Sequence, residues 1–150
     1  LHTVTEKKNI QIILDGVEEG LQVDCDSEAI HQVLLNLTDN ATKYTSEGGT
    51  INLGAFASDN EVCFFVRDTG IGIPPEHIPR LFERFYRVDK ARSRAVGGTG
   101  LGLAIVKHLV LAHNGQVRVE SEVCKGSTFY FQIPVTAARE PAALNQTMLF

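Results

Sequence analysis

The sequence is short of cysteine, of long apolar runs and of basic charge, and each shortage excludes something. Three cysteines in 150 residues, Cys25, Cys63 and Cys124, form neither a CxxC pair nor a metal-ligand spacing. An odd count leaves at least one without a partner in the chain. Each lies in or beside an apolar stretch, so all three are read as reduced thiols in a cytosolic setting. No apolar run approaches the ~20 residues that cross a bilayer as a helix, and no signal peptide opens the chain. A net charge of −4 argues against nucleic-acid binding, which draws on a strong basic excess. No GK[ST] occurs, which excludes a P-loop. The glycine-rich segment ending at Gly102 follows a loop and not a strand, which argues against a dinucleotide fingerprint. The first residue is not methionine, which suggests a piece of a longer protein.

What is present is an ordinary globular composition, 43% hydrophobic and 21% charged, in a length suited to one domain. Ile10, Ile12 and Leu14 alternate in Asn9–Asp15 and predict a strand, and a second short strand is expected over Leu21–Cys25. Asp26 or Ser27 caps a helix over about 28–44, with Ile30, Val33, Leu34, Leu37 and Ala41 on its apolar face. Ser46–Gly49 stops it. Thr50–Ala57 and Glu61–Arg67 form a hairpin about Ser58-Asp59-Asn60. A short helix over 76–82 follows Pro75, and a long one over 100–113 ends at Asn114-Gly115. Strands over Gln116–Ser121 and Ser127–Ile133 close the pattern, and 136–150 is expected to be a disordered tail. Helices and hairpins do not alternate strictly, so the fold class is an α/β (α+β) two-layer sandwich. A mixed, mostly antiparallel sheet carries about three helices on one face.

Four groups of residues carry chemistry. On the first long helix Asn36, Asn40, Lys43 and Tyr44 share one stripe at i, i+4, i+7 and i+8. Amide oxygens suit a Mg²⁺ shell, lysine neutralises phosphate, and tyrosine stacks on a base. At a strand end, Asp68 is followed by Gly70, Gly72 and Ile73: a carboxylate accepts from an exocyclic amine, and glycines admit a ligand close to the backbone. Gly98, Thr99, Gly100, Leu101 and Gly102 open the second long helix, where free N–H groups favour phosphate. Phe82 and Phe85, with Arg84, Tyr86 and Arg87, lie between the two glycine segments, and a basic run continues through Lys90, Arg92 and Arg94. On the residues alone plainer readings stand beside these: a solvated helix face, a turn with left-handed glycines, and core packing for Phe82 and Phe85.

Together, in this order, Asn36-x-x-x-Asn40-Ala41-x-Lys43-Tyr44, Asp68-x-Gly70-x-Gly72, Phe82-x-x-Phe85-Tyr86-Arg87 and Gly98-x-Gly100-x-Gly102-Leu103 resemble the N box, first Gly box, F box and second Gly box of sensor histidine kinases. Gly126-Ser127-Thr128-Phe129 is similar to that family's last-strand pattern. The resemblance covers about residues 5–135. It implies the Bergerat ATP-binding fold, with a domain over 1–135 and a mobile ATP lid over about 74–99. It also implies ATP and Mg²⁺ as cofactors. Asn40 would hold the metal, and Asn36, Lys43 and Arg87 would serve the phosphates. Tyr44 would pack on the adenine and Asp68 receive its amine. Gly70, Ile73, Thr99, Leu101 and Thr128 would line the nucleotide, Gly98, Gly100 and Gly102 would seat phosphate as the lid closes, and Gly72, Phe82 and Phe85 would shape the backbone.

The resemblance further implies a phosphoacceptor histidine on a separate helical dimerisation domain, a response regulator downstream, and a cytoplasmic domain of a membrane-anchored parent. Neither nucleic acid nor direct membrane contact is expected of the domain itself. None of His2, His31, His77, His108 and His113 sits in the acceptor's His-Glu/Asp-x-x-x-Pro setting. Type II topoisomerases, mismatch-repair ATPases and heat-shock chaperones share the implied fold. In the first two, the water-activating base resembles a glutamate one turn before the metal-binding Asn. Here that position is Asn36, and an amide cannot accept the proton. A nucleotide-binding module without phosphotransfer and an anti-sigma-type serine kinase are the alternatives.

Overall fold

A computed structural model of the chain describes residues 8–88 and 98–135. Lys90, Arg92, Arg94, His2, most of the expected lid's second half and the 136–150 tail lie outside the described residues.

Five strands form one sheet: β1 (Gln11–Val17), β2 (Thr50–Ser58), β3 (Glu61–Asp68), β4 (Gln116–Glu122) and β5 (Gly126–Pro134). Their order is β1-β2-β3-β5-β4, with only the β1–β2 pairing parallel. Helices α1 (Ser27–Tyr44) and α2 (Gly102–Ala112) and a 3-10 helix (Pro75–Arg80) accompany it. The expected mixed, mostly antiparallel sheet with helices on one side is the architecture found.

α1 forms because its apolar residues recur every three or four positions and its start is capped. The Asp26 carboxylate accepts from the Glu28 and Ala29 N–H groups at 2.9 and 3.3 Å. Its far end is closed by a residue 35 positions earlier in sequence. The Lys8 ammonium donates to the carbonyls of Thr42, Lys43 and Thr45 at 2.9, 3.2 and 3.1 Å. Ile30, Val33, Leu37 and Ala41 of α1 are buried together with Val106 and Val110 of α2 and Ile51, Val66, Phe129, Phe131 and Ile133 of the sheet. Truncating a wholly buried member such as Leu37 to alanine costs ~2–5 kcal/mol. This core gives the site a rigid floor.

Three expectations need correction. Leu21–Cys25 is not a strand. Val23 and Cys25 pack against the core as irregular chain, and it is β1 that takes the place beside β2. The short helix near 76–82 is a 3-10 helix, because Pro79 inside it has no N–H to donate to an α-helical ladder. Cys63 is buried, but Cys124 is exposed in the β4–β5 turn with φ +66°, so apolar burial does not extend to all three thiols. All three are free. The stop of α2 is as expected: Asn114 takes a left-handed φ of 56°, and the Gly115 N–H bonds the Val110 carbonyl at 3.0 Å.

Candidate functional site

A cavity of about 340 Å³ opens between α1, the loop after β3, the start of α2 and β5. That volume falls in the range of small-molecule sites. The α1 stripe forms one wall through Asn36, Asn40, Lys43 and Tyr44, and Asp68, Gly72 and Ile73 form the next. Arg87, Gly98, Thr99, Gly100, Leu101 and Gly102 complete it. Helical spacing, a strand end, a helix start and β5 thus bring together residues up to 93 positions apart, since the first is Asn36 and the last Phe129.

Asp68 is the buried polar anchor, 6% exposed. It ends β3, paired across the sheet with Ile51 on one side and Ser127 on the other. Its carboxylate accepts from the Gly70 N–H at 2.8 Å. Burial pushes its pKa up, and the backbone N–H groups of Gly70 and Ser127 pull partly the other way. The loop beyond is held by Ser121, whose hydroxyl oxygen accepts from the Ile73 N–H at 2.8 Å. Gly72 has φ +69°, and a Cβ there would lie 2.0 Å from the Glu122 carbonyl, so only glycine fits.

The opposite character gathers elsewhere in the cavity. Lys43 reaches it while paired with the Asp39 carboxylate one turn earlier at 2.5 Å. Arg87 turns its guanidinium inward, and its Nη2 is buried without a hydrogen-bond partner among the described residues. An orphaned, charged donor in a cavity wall is costly unless an anion completes it. No side chain caps α2, so its first N–H groups are open near the same wall. The Phe85 N–H donates to the Gly100 carbonyl at 2.9 Å, and Gly100 has φ +75° with no room for a Cβ against the Phe85 backbone. This ties the two glycine-flanked ends of the segment together. Tyr86 also lines the cavity, its hydroxyl 2.6 Å from His77 Nδ1 and its ring under the Arg80 guanidinium.

A carboxylate that accepts, a cationic wall whose Arg87 Nη2 is without a partner among the described residues, and an open helix start suit one ligand with a polar amine and a phosphate chain. The comparisons agree. Residues 25–137 match the family model for histidine kinase-, DNA gyrase B- and HSP90-like ATPases, three quarters of the chain. The chain belongs to that family. Within it, the catalytic domain of histidine kinase ThkA superposes with a TM-score of 0.76 at 31% identity, covering 89% of this chain and 84% of that one. Full-length ShkA in complex with AMPPNP gives 0.75 at 37% identity, over 91% of this chain and 28% of that one. Sensor histidine kinase WalK of Bacillus subtilis is 41% identical over 91% of this chain and 23% of its own length. Sensor protein SrrB of Staphylococcus aureus is 45% identical over 73% and 19%. The chain thus spans about a quarter or less of these curated relatives. It is an ATP-binding catalytic domain of the sensor histidine kinase kind.

For a sensor kinase catalytic domain the cavity holds most of the residues singled out in the sequence, with five exceptions. Thr128 does not line it. Strand alternation turns Ser127 and Phe129 inward, while the Thr128 hydroxyl accepts from Arg67 Nε at 3.3 Å on the outer face. Gly70 stands behind the wall, supporting Asp68. Phe82 packs edge-on against Phe129 at 6.4 Å between centroids, as expected of a core residue. Phe85 does not pack: its φ of +65° turns the ring out, 70% exposed, and its structural part is played by its backbone. Arg84 faces solvent. Sequence reasoning missed Asp39, Tyr86 and Ser127 as lining residues. Asp39 sat at i+3 from Asn36, on the very stripe already recognised. His31 and His108 are exposed, as surface residues should be.

Proposed function

We propose that the cavity binds Mg-ATP and presents its terminal phosphate to a histidine on a separate helical domain of the same kinase. The observation that carries this is the buried Arg87 Nη2, without a partner among the described residues, in a cavity that also holds Lys43 and the start of α2. Asp68 receives the adenine amine, and Tyr44 packs on the base. Gly72 lines the base's end of the cavity, and Gly70 holds the Asp68 carboxylate from behind through its N–H. Lys43 and Arg87 take up phosphate charge, and Gly98, Thr99, Gly100, Leu101 and Gly102 seat the phosphates where a lid over about 74–99 meets the start of α2.

The donor set fits Mg²⁺. Asn40 offers an amide oxygen, with Asn36 one turn away. The described residues contain no group of three or more His, Cys, Asp or Glu able to hold a metal alone. A hard cation at Asn40 therefore relies on phosphates and water for the rest of its shell, which is how Mg²⁺ is usually held beside nucleotides. Bound there, it neutralises charge that develops on the transferred phosphoryl group. Asn36 supports kinase over ATPase chemistry. Its Nδ2 donates to the Gln32 carbonyl at 3.0 Å, and it carries no carboxylate to activate water.

The parent protein would then be a dimeric, membrane-anchored sensor kinase with this domain on the cytoplasmic side and a response regulator downstream. ThkA in complex with the response regulator TrrA, matched at a TM-score of 0.72 and 29% identity, supports the last partner. No helix among the described residues is long and apolar enough to cross a membrane. Calorimetric titration of a non-hydrolysable ATP analogue with Mg²⁺ tests the nucleotide reading. Micromolar to sub-millimolar binding, weakened about tenfold or more in Asp68→Asn, is expected from loss of a charge-assisted hydrogen bond. No binding by the folded unaltered chain would overturn it.

A further inference from the structure

Asp39 is a carboxylate in the wall of a cavity that is to receive a highly anionic ligand. It stands one residue before Asn40, and its partner is Lys43 at 2.5 Å. Its side chain is half exposed, 51%, against 28% for Lys43, so the carboxylate is not fixed by burial. The cavity's other carboxylate, Asp68, is satisfied by the backbone N–H groups of Gly70 and Ser127 and belongs to the base-reading end. Among the described residues no backbone N–H of this kind donates to Asp39. Its one partner among the described residues is the very cation a phosphate would claim.

This arrangement has two consequences. With no metal, an incoming triphosphate must draw Lys43 away from Asp39 and leave an uncompensated carboxylate beside its own charge. Like charges a few ångströms apart near a protein surface repel each other, so metal-free binding is weakened. With a hydrated divalent cation beside Asn40, the same carboxylate becomes an acceptor for metal-bound water. Lys43 is then free for phosphate without stranding its former partner.

Resting on the Mg-ATP reading above, we propose that Asp39 is the residue that makes this site select metal-complexed over metal-free nucleotide. It does so by holding Lys43 in the empty site and by accepting from the cation's water shell in the filled one. It acts as an outer-sphere partner to the metal, through water, and as a positioning residue for Lys43.

The test compares affinity for an ATP analogue in Mg²⁺ and in EDTA, for the unaltered chain, Asp39→Asn and Asp39→Glu. The ratio of the two affinities is the readout, and a purely structural role would not move it. In Asp39→Asn, metal-free binding should tighten and Mg²⁺-supported binding weaken, so that the ratio collapses about tenfold or more. Asp39→Glu keeps the charge and should restore most of the ratio. A ratio in Asp39→Asn equal to that of the unaltered chain would overturn the inference while leaving the Mg-ATP reading intact. Absence of nucleotide binding in the unaltered chain would overturn both. Because Asp39 is exposed and asparagine nearly isosteric, the variant should melt at the temperature of the unaltered chain. Should it not, the Asp39→Glu ratio decides alone, and a ratio unlike that of the unaltered chain counts against the inference.

Discussion

Among single residues, Asp68 makes the sharpest prediction, because burial and function pull on one proton. Its folded pKa is raised above the value it has in the unfolded chain. The folded state therefore holds that proton more tightly. Its contribution to stability is most favourable at low pH and is lost as pH rises through the raised value. Nucleotide binding has the opposite sign, since a donated amine proton is best accepted by the ionised carboxylate. Affinity for an ATP analogue should stay level near neutral pH and fall as pH drops through the Asp68 titration. In Asp68→Asn that fall should be absent. A pH series of titrations on both proteins checks this, and parallel curves would refute it. The stripe of Asn36, Asn40, Lys43 and Tyr44 was legible because helical spacing alone puts those residues on one face. Thr128 was misplaced for a matching reason: a one-residue error in a strand exchanges its two faces. Only the pairing of Asp68 with Ser127 shows which face is inward.

At the scale of elements, what mattered most for α1 was partly hidden. Its start was legible, because Asp26 lies immediately before an apolar periodic run. Its end at Tyr44 was legible too, from the stop at Ser46–Gly49, but what closes it was not, because Lys8 reaches it from a distant stretch of chain, and no local pattern announces a three-carbonyl contact. Cations at helix C-termini contribute up to ~2 kcal/mol in partly buried geometries. Lys8→Met keeps the apolar stem and removes the charge, and three carbonyls lose their donor. Unfolding in urea should show a loss of ~1–2 kcal/mol for Lys8→Met. The cost should be similar to the ~1 kcal/mol of Asp26→Ala at the other end. Since Lys43 and Tyr44 lie in the turn that Lys8 holds, nucleotide affinity should fall with Lys8→Met and be nearly unchanged with Asp26→Ala. Equal affinity in both variants would show that the last turn of α1 needs no support from Lys8. The irregular Leu21–Cys25 segment was misread because its alternating Leu21, Val23 and Cys25 imitate a strand, and alternation says nothing about whether a partner strand exists.

For the whole molecule, the governing fact is the distance between where phosphate is offered and where this chain keeps its histidines. In-line transfer needs the attacking nitrogen within about 3–3.5 Å of the phosphorus. None of the four described histidines lines the cavity. His77 is engaged with the Tyr86 hydroxyl. His113 bonds the Leu109 carbonyl at 2.8 Å and accepts from the Asp26 N–H at 3.1 Å, bridging the end of α2 to the start of α1. His31 and His108 are exposed on helix surfaces. The helices thus carry His31, His108 and His113 outside the cavity, and His77 meets its wall only through Tyr86. The chain should therefore take up Mg-ATP and gain stability, ~2.7 kcal/mol at a hundredfold excess over Kd, seen as a higher melting temperature. Incubated alone with γ-labelled ATP it should acquire no acid-labile, alkali-stable label. Supplied in trans with the helical acceptor domain of its own kinase, it should label that domain's histidine. Label on the isolated chain would mean that a histidine here reaches the cavity. A melting shift without any labelling in trans would favour a domain that keeps the nucleotide pocket and has lost transfer. The order of the motifs pointed to the first half of this division of labour, because each motif meets the same small molecule. The second half was expected because no histidine has the acceptor's sequence setting, and the fold adds a spatial reason, since the four described histidines do not line the cavity.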